Sequence, residues 1–153
     1  MRILIASDHA GFELKRFLVE RLSLAGHDVK DFGAKSFEPE DDYPDMVALV
    51  AQEISHNPSS GAKGIVIGGS GQGEAIAANK FYGVRTAVYY GGNTDIIRLS
   101  REHNDANVLS LGARFLSPEQ GLDAVNLWLA TPFSGDERHK RRIQKLYNLN
   151  KQA

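Results

Sequence analysis

A glycine-rich turn followed by a single acid is the stretch whose residue types best suit chemistry. Residues 64–80 combine an apolar run, four glycines within six positions and an alanine-rich segment that starts near Gln72. This pattern predicts a buried strand, a tight turn and a helix. The first turn of a helix carries N–H groups that bind anions, and Glu74 places a carboxylate there. A carboxylate beside an anion site favours proton transfer over simple binding.

Two nucleotide-binding motifs are excluded at this turn. A P-loop needs Lys-Ser or Lys-Thr after its glycines, and neither pair follows here. The dinucleotide fingerprint Gly-x-Gly-x-x-Gly would start at Gly69, but its third glycine position holds Glu74. A tight structural connection without function remains the alternative interpretation, because short glycine motifs are weak signals.

The composition is typical of one small domain with an ordinary surface. The chain has 153 residues, which we expect to form a single domain over 1–153, and its net charge is −1. This balanced charge argues against a nucleic acid or a membrane as partner. Cysteine is absent, which excludes disulfides, thiolate metal sites and a cysteine nucleophile. Residues 1–6 are too short for the apolar region of a signal peptide, so we expect a cytoplasmic protein.

Strand-like and helix-like segments alternate along the chain. Apolar, β-rich runs predict strands, and amphipathic segments predict a helix after each of them. The predicted strands are 2–7, 27–33, 64–68, 85–90 and 108–112. A basic C-terminal helical segment is predicted over 135–153, with its amphipathic helix over 137–150. This order predicts an α/β fold, a single-domain Rossmann-like three-layer sandwich with a five-stranded parallel sheet and a C-terminal helix.

Polar residues follow several of the predicted strands. Asp8 and His9 come after the first strand, Ser70 and Glu74 after the third, and Arg114 after the fifth. In open α/β sheets ligands bind beyond the carboxyl ends of the strands, so these side chains should converge on one site. Each also has a purely structural interpretation. Asp8 could cap a helix, and Glu74 could complement a helix dipole.

A cluster of basic residues lies in the predicted C-terminal helix. Arg138 and Arg142 are four residues apart and therefore share one helical face. Two guanidinium groups so arranged can bind a phosphate as a bidentate clamp. The alternative interpretation is a solvated surface helix, which charge alone does not exclude.

Six segments, taken together and in this order, resemble the type B ribose-5-phosphate isomerases, a family of sugar-phosphate isomerases. Each segment alone is a weak signal, but their order along the chain is specific and covers it almost end to end. The segments are Ser7–Gly11, Asp42–Pro44, Gly69–Lys80, Arg101–Asn104, Gly112–Arg114 and Arg138–Arg142. One departure is informative. Many members carry a catalytic cysteine where this chain has Gly68, whereas an actinobacterial-like branch uses a glutamate at the position of Glu74.

The resemblance implies reversible isomerisation of ribose 5-phosphate to ribulose 5-phosphate, a step of the pentose phosphate pathway, through a cis-enediolate. It implies Glu74 as the base, His103 for ring opening, Asp8 on a sugar oxygen and Ser70 near the oxyanion. No metal and no other cofactor is expected. The implied substrate- and phosphate-binding residues are His9, Tyr43, Gly69, Gly71, Gly73, Asn104, Arg114, Arg138 and Arg142.

The resemblance also implies a homodimer, or a dimer of dimers, with shared active sites, in which the C-terminal helix packs on the partner subunit. Other functions remain open from the sequence. One is isomerisation of another phosphosugar, such as allose or galactose 6-phosphate or a tetrose-derived phosphate. Another is a non-catalytic phosphosugar sensor. The pKa of Glu74 is open as well, because burial would raise it and the helix N-terminus would lower it.

Overall fold

The computed structural model describes residues 1–149 and consists of one parallel sheet with helices on both faces. No helix in this range is both long and apolar enough to cross a bilayer. The strands are β1 (Arg2–Ser7), β2 (Asp28–Asp31), β3 (Lys63–Gly68), β4 (Thr86–Tyr89) and β5 (Val108–Gly112). The helices are α1 (Phe12–Leu24), α2 (Tyr43–His56), α3 (Gln72–Ala78), α4 (Asp95–Glu102), α5 (Pro118–Ala130) and α6 (Glu137–Leu149).

The strand order creates a switch point between β1 and β3. The sheet runs β2-β1-β3-β5-β4, and every pair is parallel. From β1 the chain moves outward to β2 and then returns to the other side of β1 to form β3. Crevices that bind ligands open at such reversals, beyond the carboxyl ends of the two strands. The residues that follow β1 and β3 therefore share one crevice.

Alternate residues of the strands build two apolar cores, one on each face of the sheet. Ile3 and Ile5 of β1 pack with α1, α4 and α5, whereas Leu4 and Ala6 pack with α2 and α3. Successive side chains of a strand point to opposite faces, so a strand that is covered on both sides is apolar at most of its positions. The expected α/β fold, with a five-stranded parallel sheet between two helical layers, is confirmed.

Several predicted boundaries differ from the structure at the element ends. Within the predicted C-terminal segment 135–153 the helix begins at Glu137, as expected, because Gly135 adopts a left-handed backbone (φ +73°) outside it. The rest of that prediction, residues 150–153, lies outside the described part of the chain. The second and fourth strands are shorter than predicted by one or two residues at each end. In α4 the apolar residue Ile97 is buried, while Ile96 and Leu99 are exposed.

Candidate active site

A cleft of about 310 Å³ lies at the carboxyl ends of β1, β3 and β5. Its position agrees with the switch point of the sheet. It brings together eight of the thirteen predicted site residues, from four separate segments of the chain. The lining residues are Asp8, His9, Ala10, Tyr43, Gly69, Ser70, Gly73, Glu74, Arg114 and Phe115.

The glycine turn that joins β3 to α3 has a fixed shape. Gly71 has a left-handed backbone (φ +77°), which a residue with a Cβ rarely adopts. The hydroxyl of Ser110 in β5 donates a hydrogen bond of 2.6 Å to the Gly71 carbonyl. Ser70 Oγ accepts a bond of 3.3 Å from the Gln72 N–H, and the Tyr43 ring packs directly on Gly73. These contacts hold the turn at the floor of the cleft.

Glu74 is a buried carboxyl group in the first turn of α3. Only 4% of its surface is exposed. Burial raises the pKa of the Glu74 carboxyl above its ordinary value, and the nearby Asp8 charge acts in the same direction. The backbone N–H of Glu74 opposes this shift of the pKa, but burial is the larger effect. A carboxylate whose pKa is raised is a stronger base than an exposed glutamate.

The Glu74 carboxylate occupies the space that a side chain at position 68 would need. A Cβ built on Gly68 would lie 2.6 Å from Oε2 of Glu74 and closer still to Oε1. Position 68 is where many relatives are expected to carry the catalytic cysteine. In this chain a side chain at 68 and the observed carboxylate position exclude each other. The geometry therefore places the Glu74 carboxylate where the cysteine side chain would begin.

Asp8 both caps a turn and lines the cleft. Its Oδ1 accepts a hydrogen bond of 3.1 Å from the Gly11 N–H and so caps the short 3-10 turn His9–Gly11. The same carboxylate is buried and lines the cleft. Capping fixes the orientation of Asp8 towards the space beside Glu74.

His9 is held by a residue that the sequence did not single out. Oδ1 of Asp41 accepts a hydrogen bond of 2.9 Å from the His9 backbone N–H. The same oxygen lies 2.8 Å from the ring Nδ1 of His9 and forms a second hydrogen bond with it. This pairing places the proton on Nδ1 and leaves Nε2 to face a ligand. Asp41 is one of several acids in a polar loop, and no pattern in the sequence distinguishes it from Asp42 or Glu40.

Arg114 lies against the glycine turn. Its backbone N–H donates to the Gly69 carbonyl (3.1 Å), and a Cβ built on Gly69 would lie 3.2 Å from the Arg114 guanidinium carbon. Glycine at position 69 thus allows the guanidinium to approach the backbone. Together with His9, which lines the same cleft, Arg114 offers hydrogen-bonding groups suited to a phosphate. Phe115, which the sequence did not indicate, lines the rim next to them.

Five predicted site residues do not line this cleft: Gly71, which lies inside the glycine turn, and four residues from elsewhere in the chain, namely His103, Asn104, Arg138 and Arg142. The Asn104 carbonyl accepts a bond of 2.9 Å from Arg85 Nε, just before the first residue of β4. Asn104 therefore lies at the amino edge of the sheet. A strand of six residues is about 20 Å long at roughly 3.3 Å per residue, so this edge is far from Glu74. One chain carries two separate groups of predicted site residues.

Comparisons with known proteins agree with this architecture. The sequence profile of the Ribose/Galactose Isomerase family matches residues 3–146. The chain belongs to this family. Ribose-5-phosphate isomerase B from Mycobacterium leprae (strain TN) is 42% identical over 95% of this chain and 88% of its own length.

Solved structures of family members have the same fold. Ribose-5-phosphate isomerase B from Mycoplasma genitalium, with bound ribulose-5-phosphate, gives a TM-score of 0.93 at 39% identity, covering 99% of this chain and 97% of that one. The protein from Clostridium thermocellum gives a TM-score of 0.91 at 43% identity, covering 99% of both chains. The predicted family and enzyme class are confirmed.

Proposed function

We propose that this protein interconverts ribose 5-phosphate and ribulose 5-phosphate, as an aldose–ketose isomerase of the pentose phosphate pathway. The observation that carries the proposal is the buried Glu74 carboxylate, with its raised pKa, in the cleft of a member of this family. Relatives that share about two fifths of its sequence have this activity in their names, and one of them is seen with ribulose-5-phosphate. A phosphorylated pentose does not cross a bilayer unaided, so we infer a cytoplasmic location.

Glu74 acts as the base that moves a proton between two carbons. It takes the proton from C2 of the open aldose, and the electron pair of that bond forms the C1=C2 bond of a cis-enediolate. Negative charge passes to O1. The proton then returns to C1, while the proton of the C2 hydroxyl is transferred to O1 and the new carbonyl forms at C2. A positioned base of this kind contributes about 10²–10⁴-fold to the rate.

The glycine turn stabilises the charge that develops on the enediolate. The N–H groups of Gly69, Gly71 and Gly73 belong to a turn of fixed shape, so they need no reorganisation when charge appears. Ser70 lies beside them in the cleft wall. These dipoles let the protein work without a metal ion or another cofactor.

The substrate phosphate binds at the other end of the cleft. His9 presents Nε2, because Asp41 occupies Nδ1, and Arg114 presents its guanidinium. Tyr43 contacts the sugar from the start of α2, where it packs on Gly73. Charge-assisted hydrogen bonds from these groups fix the substrate with C2 next to Glu74.

A second copy of the chain completes the site. His103, Asn104, Arg138 and Arg142 are at the wrong end of their own sheet and reach a cleft only if a partner supplies them. A groove of about 600 Å³ lies along edge strand β4, between α4 and α6. Large apolar side chains on these helices remain exposed in the single chain, among them Ile96, Leu99 and Leu146. Their exposure favours a homodimer in which this surface is covered.

In the shared site, His103 of the second copy opens the sugar ring. Ribose 5-phosphate rests as a ring, and an acid–base group must move the proton between the ring oxygen and the C1 hydroxyl before Glu74 can act. Asp8 holds the sugar oxygen involved, and Asn104 of the second copy helps to bind the oxyanion. Arg138 and Arg142 of the second copy add two guanidinium groups to the phosphate site.

The activity is tested with purified protein and ribose 5-phosphate, with and without a chelator. We expect ribulose 5-phosphate to form at the same rate in both samples. Allose 6-phosphate serves as the comparison substrate. Failure to convert ribose 5-phosphate, or loss of its conversion on chelation, would contradict the proposal.

The shared site is tested by mixing two inactive variants. Glu74→Gln disables the cleft, and His103→Asn disables the group supplied to the other chain. After subunit exchange, a mixed dimer has one site with both residues intact, so activity should return in the mixture. Each variant alone should stay inactive. A mixture that remains inactive while forming mixed dimers would refute sharing.

A further inference from the structure

His139 is a buried residue in a helix that is otherwise exposed. Its surface is 2% exposed, whereas its neighbours Arg138 and Lys140 lie in solvent. It is the one buried residue within the described extent of α6. A histidine in a run of basic residues gave no signal in the sequence, and the proposed mechanism assigns it no role.

The His139 ring connects two groups of the proposed site. It stacks face to face on the His103 ring, with ring centres 4.3 Å apart and planes inclined by 13°. Its Nε2 lies 3.2 Å from Nε of Arg138, which donates a hydrogen bond to it. An Nε2 that accepts a hydrogen bond carries no proton, so the ring is neutral with its proton on Nδ1.

The charges around His139 also favour its neutral form. Burial lowers the pKa of His139, and positive charge on His103, Arg138 and Arg142 acts in the same direction. Only Asp136, whose Oδ2 lies 3.8 Å from Nε2, opposes this effect.

We propose that His139 is a positioning residue that holds His103 and Arg138 as one preassembled unit. The inference rests on the proposed function, in which this unit completes the cleft of a second copy. One ring face fixes the plane of the ring-opening His103. One ring nitrogen fixes a guanidinium of the phosphate site. His103 and Arg138, which contact the ring oxygen and the phosphate of the substrate, are thereby held at a fixed distance from each other.

A neutral stacking partner suits the proton cycle of His103. When His103 takes up a proton during ring opening, its positive charge lies over the face of a neutral aromatic ring, which is a favourable arrangement. A charged His139 would repel it instead. His139 therefore aligns His103 without competing for its proton.

Two substitutions separate the two contacts. His139→Phe keeps a flat ring against His103 and removes the acceptor for Arg138. His139→Leu removes both contacts. We expect His139→Phe to keep kcat near the wild-type value and to raise KM for ribose 5-phosphate, because the phosphate-binding guanidinium is no longer held. We expect His139→Leu to lower kcat as well, by about 100-fold, the cost of misplacing a catalytic group by about 1 Å. Arg141→Gln, an exposed change on the same helix, is the control.

A second readout distinguishes positioning of His103 from general damage. Ribulose 5-phosphate cannot close a five-membered ring, because its C5 oxygen carries the phosphate. Exchange of its C1 hydrogen with D2O, followed by NMR at saturating substrate, therefore needs Glu74 but no ring opening. His139→Leu should retain this exchange while losing conversion of ribose 5-phosphate. Equal loss of exchange and conversion, or wild-type kcat in His139→Leu, would overturn the proposal.

The outcomes separate this inference from the proposed function. If the wild-type protein does not isomerise ribose 5-phosphate, both fail. If Glu74→Gln and His103→Asn form mixed dimers but do not complement each other, the shared site and this inference fail, while the isomerase activity stands. If those tests succeed and the His139 variants behave as wild type, the inference alone fails. Thermal melts and the oligomer size are measured for each variant. Should His139→Leu not fold, an unchanged KM in His139→Phe also overturns the proposal.

Discussion

Gly68→Ala tests whether the position of the Glu74 carboxylate matters to the reaction. The added Cβ would lie 2.6 Å from the farther carboxylate oxygen, whereas ordinary contact begins at 3.4 Å. The nearer oxygen, Oε1, lies closer still, so the carboxylate must retreat by more than about 1 Å, and a displacement of that size typically costs about 100-fold in rate. Because Gly68 ends a strand and the three atoms nearest to its added methyl all belong to the Glu74 carboxyl group, which a side-chain rotation can move, the protein should still fold.

The assay is kcat for conversion of ribose 5-phosphate, with Gly64→Ala as the matched control. Gly64 lies in the same strand, and a Cβ there meets Val50 and Val108 in the core at 2.9 Å. Gly64→Ala should lower thermal stability and leave kcat unchanged, while Gly68→Ala lowers kcat. In the double variant Gly68→Ala/Glu74→Gln the first change should add no further loss, because both act through one carboxylate. Wild-type kcat in Gly68→Ala, or additive losses in the double variant, would refute the reasoning.

Three further predictions concern stability and binding. Burial raises the pKa of Glu74 above its ordinary value of 4.5, so the folded protein loses stability as the pH rises above 4.5 and the buried carboxyl group ionises. Glu74→Gln removes this charge, and it should therefore raise the melting temperature at neutral pH while removing activity. Asp41→Ala removes the hydrogen-bond partner of the His9 ring and should raise KM more than it lowers kcat. Asp42→Ala, at an exposed neighbouring position, should change neither. Equal KM values for the Asp41→Ala and Asp42→Ala variants would contradict this prediction. Ser117→Ala removes the capping box of α5 and should cost about 1 kcal/mol in chemical denaturation with no change in kcat.

The parts of the fold that depend on local pattern were predictable from the sequence. Apolar runs located β1, β3, β4 and β5, and Pro44 and Pro118 marked the starts of α2 and α5. The polar strand β2 was indicated only by its place between two glycines. The glycine turn and Glu74 also follow from local sequence, since strand, turn and acid are contiguous. The rule that ligands bind beyond the strand ends then placed Asp8, His9 and Arg114 in the same cleft.

Properties that depend on distant segments were not predictable. The position of β5 between β3 and β4 is set by the pairing of strands that are distant in sequence, and no local pattern encodes it. Asp41 gains its role only when the loop folds back onto His9, 32 residues away in sequence. Similarly, His139 is buried only because α6 returns to the end of α4. The pKa of Glu74 was open because it depends on burial, and in the structure burial outweighs the effect of its own backbone N–H.

The central claim is that Glu74 moves the proton between C1 and C2. The most direct test is exchange of the C1 hydrogen of ribulose 5-phosphate with D2O, measured by NMR for wild type and Glu74→Gln in the presence of chelator. Exchange should be rapid in wild type and fall by at least about 100-fold in Glu74→Gln, in line with the contribution of a positioned base. Binding of ribulose 5-phosphate should be retained in the variant. Undiminished exchange in Glu74→Gln would contradict the account.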